Sequence, residues 1–233
     1  MNFSLDTNII LGIVNNGDRI HKLSVALIKD KRDEQLVLCK SAIKESHNVL
    51  RNKINEILVE IFKFFPDIYQ NPTLSSMDSQ ALLIEKFKKI MNKKPGITNF
   101  LILVFHEISL FLKDHDREDL PSFLSELSIN LSGLILLKIG EIHPNYEIKT
   151  LNSKNLANVK KSLAEIHFKD SYDERIFLEL MTNLNEIKPI EFFLDDREFA
   201  KNCKKGFTNI ANDLRFQKEA FSCKLLKDYN PSS

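Results

Sequence analysis

Three short strand-like stretches, Asn2 to Leu5, Leu36 to Cys39 and Glu191 to Leu194, interrupt a chain otherwise patterned for helices. This alternation constrains the fold more than any other feature. Parallel strands need a long crossover, usually a helix, to bring the chain back to the same edge. Leu36-Val37-Leu38-Cys39 is apolar throughout, rather than at every second residue, and fits a strand covered on both faces. Phe192 and Phe193 give the last run β character. The expected fold is therefore α/β: a small parallel sheet flanked by helices, helix-rich overall. Only 6 Gly and 7 Pro occur in 233 residues, which argues against a turn-rich all-β fold.

The helical periodicity can be followed along the chain. Ile9, Ile10, Ile13 and Val14 mark a helix over Thr7 to Val14, and Asn15-Asn16-Gly17-Asp18 reads as a turn. His21 to Lys29 resumes a helix. Ser41 to Phe65 is expected as a long amphipathic helix with the stripe Ile43, Leu50, Ile54, Ile57 and Ile61, capped by Ser41 and stopped by Pro66. Asn71-Pro72 and Pro95-Gly96 punctuate the middle. Helices are expected near Ser75 to Met91, Ile97 to Lys113, Pro121 to Ile139 and Asn155 to Phe168. A further stripe runs from Tyr172 through Leu180 to Ile187, and Arg197 to Cys203 returns to helix. The stretch after Phe207 has room for a last strand and helix.

Composition excludes several classes. Lys and Arg total 33 against 32 Asp and Glu, so a non-specific, histone-like grip on nucleic acid is not indicated. Charged residues at 28% and hydrophobic residues at 43% are those of an ordinary globular chain. Seventeen Phe and no Trp imply an aliphatic and phenyl core. Cys39, Cys203 and Cys223 are far apart and show no C-x-x-C spacing, which suggests reduced thiols and a cytoplasmic setting. No signal peptide is expected, because Asp6 interrupts the N-terminus, and Phe100 to Phe105 is too short to span a bilayer.

The acids carry the chemistry. Asp6 stands where the first strand ends, and Asp195 and Asp196 follow the strand at Glu191 to Leu194. In an open parallel sheet that edge is where ligands bind. Asp173 precedes Ile176, Phe177, Leu180 and Leu184 at helical spacing, so it lies in register with a buried stripe. A carboxylate there is expensive unless paired or bound to a metal. Glu45 lies in the first turns of the long helix. Each acid also has a plain alternative. Asp6 can cap the next helix, Asp170 can cap the helix that contains Asp173, Glu45 can be solvated, and Asp195-Asp196 can form a turn.

The run Ser4-Leu5-Asp6-Thr7-Asn8-Ile9-Ile10 resembles the opening strand and Asp-x-Asn signature of PIN-domain nucleases. Glu45 resembles that family's acid early in the helix after the second strand. Asp173 with Ile176 resembles its third motif, and Asp196 with Phe199 its strand-end Asp-x-x-Phe. The resemblance covers roughly residues 1–65 and 160–205, and Leu194 stands where the family usually has a small polar residue. It implies Mg²⁺- or Mn²⁺-dependent cleavage of RNA, with Asp6, Glu45, Asp173 and Asp196 as the metal and catalytic site. Asn8 would support them, and Asp170 and Asp195 are alternative ligands. Arg51, Lys53, Arg197 and Lys201 are candidates for the RNA backbone.

The expected organisation is a single PIN-like domain over 1–233. Its core would be about 1–65 and 160–233, interrupted by a helical insertion at about 66–160. Expected partners are RNA and a second copy or an inhibitory protein, with no membrane. The alternatives are a catalytically inactive PIN-like binding module and another Mg²⁺-dependent phosphohydrolase. Haloacid-dehalogenase phosphatases also begin with an Asp after a first strand, but they carry a second Asp two residues on, where this chain has Asn8. His47, near Glu45, is expected to play a surface or core role.

Overall fold

The computed structural model describes residues 1–69 and 76–231. Five strands form one all-parallel sheet: β1 (Asn2–Leu5), β2 (Gln35–Cys39), β3 (Tyr146–Lys149), β4 (Ile190–Leu194) and β5 (Phe221–Leu225). Their spatial order is β3-β2-β1-β4-β5. From β1 the chain moves outward to β2 and β3, then returns to the other side of β1 with β4 and β5. The order therefore reverses between β1 and β4. Phe3 pairs with Leu36 on one side and Glu191 on the other.

The crossovers are helical. Helices α1 (Thr7–Val14) and α2 (His21–Asp30) join β1 to β2. Helix α3 (Lys40–Tyr69) leaves β2 directly, and α4 (Ser76–Lys93), α5 (Thr98–Asp114), α6 (Leu120–Ile129) and α7 (Leu131–Ile142) follow. Helices α8 (Ser153–Ser162), α9 (Ser171–Thr182) and α10 (Leu184–Ile187) lead to β4, and α11 (Arg197–Leu214) leads to β5.

The chain divides into two compact units: one is Met1–Val14, Ile20–Ser46 and Ile135–Ser233, the other Asn15–Arg19 and His47–Leu134. The first holds all five strands. Its core uses the phenyl rings that the composition promised. Phe192 meets Phe199 edge-on at 5.7 Å, Phe177 meets Phe221 at 5.9 Å, and Phe207 lies 5.3 Å from Phe221. Gly206 of α11 permits this packing, since a Cβ there would stand 2.8 Å from the Phe177 ring and 2.9 Å from Leu163. The second unit is helical. Leu50, Ile54, Ile57 and Ile61 are buried along α3, and Phe87 bridges Phe64 and Phe105 at 6.4 and 5.3 Å between centroids.

Several expectations change. β3 and α8 belong to the sheet unit, so the stretch 66–160 is not all helical, and the longer stretch of the second unit begins at His47. The β3 sequence Tyr-Glu-Ile-Lys is half-exposed at the sheet edge and lacks the apolar run of a central strand. Helix α3 continues through Pro66 to Tyr69. A proline removes one helical hydrogen bond, which a long amphipathic helix can absorb. Ser41 is the second residue of α3 rather than its cap. The helix expected over Pro121 to Ile139 is two, parted at Asn130, whose carbonyl accepts from Leu134 and so starts α7. The stripe over Tyr172 to Ile187 breaks at Asn183 into α9 and α10, and the helix expected to reach Phe168 ends at Ser162. Asn71-Pro72 and the expected helix start at Ser75 lie outside the described residues. Among the described residues no single helix is long and apolar enough to cross a membrane.

Candidate functional site

The reversal of strand order between β1 and β4 opens the carboxyl ends of those two strands, the place where open α/β sheets bind ligands. Asp6 is the first residue past β1, and its N–H donates to the Phe193 carbonyl of β4 at 2.9 Å. Asp6 is buried at 3% exposure, and the backbone N–H groups of Thr7 and Asn8 donate to its carboxylate. It does begin α1, since its carbonyl accepts from Ile9 and Ile10. Capping and burial in the cluster are thus compatible roles. The exposed Asn8 side chain donates weakly to Asp6 Oδ2 at 3.4 Å.

Glu45 and Asp173 come to the same place from two helices. Glu45, half-buried, accepts from the Thr7 hydroxyl at 2.5 Å, so the residue beside Asp6 holds it. Asp173, also half-buried, sits in the first turn of α9. Asp170 caps that helix by accepting from the Tyr172 N–H at 2.6 Å. Burial raises the Asp6 pKa to about 7, and the negative charges of Asp173 and Glu45 add to the effect. The Asp173 pKa also rises to about 7, through burial first and then through Glu45, Asp170 and Asp196. Glu45 is pushed up by burial and by Asp170, against the Thr7 hydroxyl. The acids share one electrostatic field, and none of Asp6, Glu45 and Asp173 has an ion-pair partner among the described residues.

Asp196 is exposed and caps α11, its Oδ1 accepting from Glu198 at 2.7 Å and Phe199 at 2.9 Å. It is still close enough to raise Asp173. Asp195, half-buried, stands beside it. As placed, no group of three His, Cys, Asp or Glu side chains among the described residues converges tightly enough to hold a metal ion. The donors are nevertheless all carboxylate oxygens, the ligands that hard divalent cations prefer.

One acid lies beyond the sequence expectations. Glu179 of α9 is 5% exposed and accepts from both the Ser41 N–H at 3.0 Å and the Ser41 hydroxyl at 2.8 Å. It supplies the cap that α3 lacks from its own sequence. It thereby ties the helix of Asp173 to the helix of Glu45. Burial raises its pKa, against the two Ser41 bonds and the charges of Arg175 and Lys40. Its signal in the sequence is a single acid inside the apolar run Ile176 to Met181.

The basic candidates divide between the units. Arg197 and Lys201 are exposed on the first turns of α11, the helix that Asp196 caps. Arg51 and Lys53 belong to the helical unit. His47 Nδ1 is bonded to the Ser132 hydroxyl at 2.8 Å, a structural use of the ring. Compared with known proteins, the chain matches no family model, no curated protein and no solved structure.

Proposed function

We propose that the protein is a metal-dependent endoribonuclease of PIN-like organisation. The observation that carries this reading is the meeting of Asp6, Glu45 and Asp173 at the strand-order reversal, where burial and mutual repulsion outweigh the one opposing charge, Lys169 near Asp173. Asp6, Glu45 and Asp173 would hold a Mg²⁺ or Mn²⁺ ion, with the Asp196 oxygen not used in capping available beside them. When bound, such an ion lowers the pKa of a water and neutralises charge on a phosphodiester. The remaining work belongs to the chain. Thr7 fixes the Glu45 carboxylate, and Glu179 fixes the start of α3 and hence the reach of Glu45. Arg197 and Lys201 offer charge to a phosphate backbone close to Asp196.

A second reading, a PIN-like module without catalysis, is favoured by two observations: Asp196 is engaged by two backbone N–H groups, and among the described residues no three acids close on a point. Incubation of mixed single-stranded and structured RNAs with Mg²⁺ or Mn²⁺ separates the two. Internal cleavage that falls at least a hundredfold in Asp6→Asn is expected. Full cleavage by Asp6→Asn in excess Mn²⁺ would sink the nuclease reading. Conversion of a phosphomonoester with RNA left intact would point instead to another phosphohydrolase.

A further inference from the structure

The opposite edge of the sheet carries a second polar site. Lys188 and Pro189 lead into the first residue of β4, and Arg215 and Phe216 follow the last turn of α11. These termini lie one strand length from the acids. A cavity of about 310 Å³ is lined there by Asn155, Asn158, Asn185, Lys188, Arg215 and Phe216, with no carboxylate on its wall. A second hollow of about 510 Å³ is also lined by Lys188, Arg215 and Phe216, together with the carboxylate of Glu219. Both volumes fall in the range of small-ligand sites.

The wall has a definite chemistry. The Lys188 ammonium lies 5.3 Å from the Phe216 ring centroid, which holds a cation beside an aromatic face. Arg215, the residue just past the last turn of α11, takes φ 58 and ψ 40, the left-handed region that favours glycine. That guanidinium has no partner among the described residues. Asn155 donates to the Thr182 carbonyl at 2.7 Å and keeps its Oδ1 open. Asn185 accepts from Lys188 at 3.4 Å and keeps its amide N–H groups open. The Asn158 side chain makes no hydrogen bond among the described residues.

We propose that this pocket binds a nucleotide. Two cations suit a phosphate, the three carboxamides offer both donors and acceptors to a base edge, and Phe216 supplies a stacking face. The site does not depend on the activity proposed above, because it shares no residue with the acid edge.

The test uses the full chain titrated with AMP, inorganic phosphate and a 5′-phosphorylated trinucleotide, followed by calorimetry. AMP is expected to bind with a Kd below about 1 mM, at least tenfold tighter than phosphate. Arg215→Gly should weaken AMP at least tenfold while the melting temperature holds or rises, since glycine suits that backbone. Asp6→Asn should leave AMP binding unchanged. A trinucleotide tighter than AMP assigns the pocket to an RNA strand, and a weaker one assigns it to a free nucleotide; either supports the site. Absence of AMP binding, equal affinity in Arg215→Gly, or loss of AMP in Asp6→Asn overturns it.

Discussion

The same two strands carry buried acids in opposite circumstances. On the face of the sheet, Glu191 of β4 lies opposite Phe3 of β1 and is ion-paired to Lys31 at 2.8 Å and to Lys224. Lys31 also reaches Glu34 at 2.8 Å, and its ammonium sits 5.6 and 5.4 Å from the Phe3 and Phe193 ring centroids. The buried His143 closes this group, its Nε2 bonded to the Lys31 carbonyl at 3.1 Å. Burial pushes the Glu191 pKa up, but the two lysines overcome it and hold the carboxyl below its ordinary value. A few residues on, at the carboxyl edge, Asp6 has no such lysine and rises to about 7. The difference teaches what each acid is for. Glu191 is neutralised from within the fold, so it needs nothing more. The acids around Asp6 keep a net negative charge, opposed only weakly by Lys169 near Asp173, that a ligand or a proton would relieve.

The largest effect should come from breaking the compensated side. Glu191→Ala leaves Lys31 buried with only Glu34 as partner and should lower stability by about 3 kcal/mol at pH 7, measured by urea unfolding. The loss should shrink at low pH. A depressed carboxyl contributes stability above its unfolded pKa near 4.5 and loses it as pH falls through the folded value. A change under about 1 kcal/mol would mean that the lysines find other partners.

The uncompensated side should respond with the opposite sign. Asp6 has a folded pKa of about 7 against 3.8 unfolded, so its cost is absent below pH 4, grows between 4 and 7, and is complete above 7. Asp6→Asn should therefore stabilise the metal-free protein by about 2 kcal/mol at pH 8 and by nothing measurable at pH 4. Millimolar Mn²⁺ should raise the melting temperature of the unmodified protein at pH 8 and leave that of Asp6→Asn in place. Equal stabilisation of both proteins would show that the ion binds elsewhere.

The smallest effect sharpens the boundary of the site. Asp196→Asn keeps a capping side chain, so stability should change by less than about 0.5 kcal/mol. Its Mn²⁺ affinity should fall by less than about tenfold, well short of the effect at Asp6. An Asp196→Asn protein that loses Mn²⁺ as fully as Asp6→Asn would make Asp196 a full ligand despite its cap.

How much of this was legible depends on how local each signal is. Asp6 and Asp173 are legible because each is an acid set against an apolar pattern, and that conflict is visible in the sequence. Asp196 is legible as a strand-end acid, but its bonds to Glu198 and Phe199 equally suit the capping alternative. Glu179 escapes because its partner, Ser41, lies 138 residues away. β3 escapes because an edge strand with one exposed face has no apolar run to announce it.

Local choices were already written in the chain: which runs extend, which coil, and which acids fall at the ends of strands. Those follow from side-chain periodicity and from the cost of placing charge beside apolar residues. The strand order, the pairing of Glu191 with Lys31 and Lys224, and the tie between Glu179 and Ser41 came from the fold. Each of these joins residues distant in the chain, and a pairwise electrostatic balance exists only once both partners are brought together.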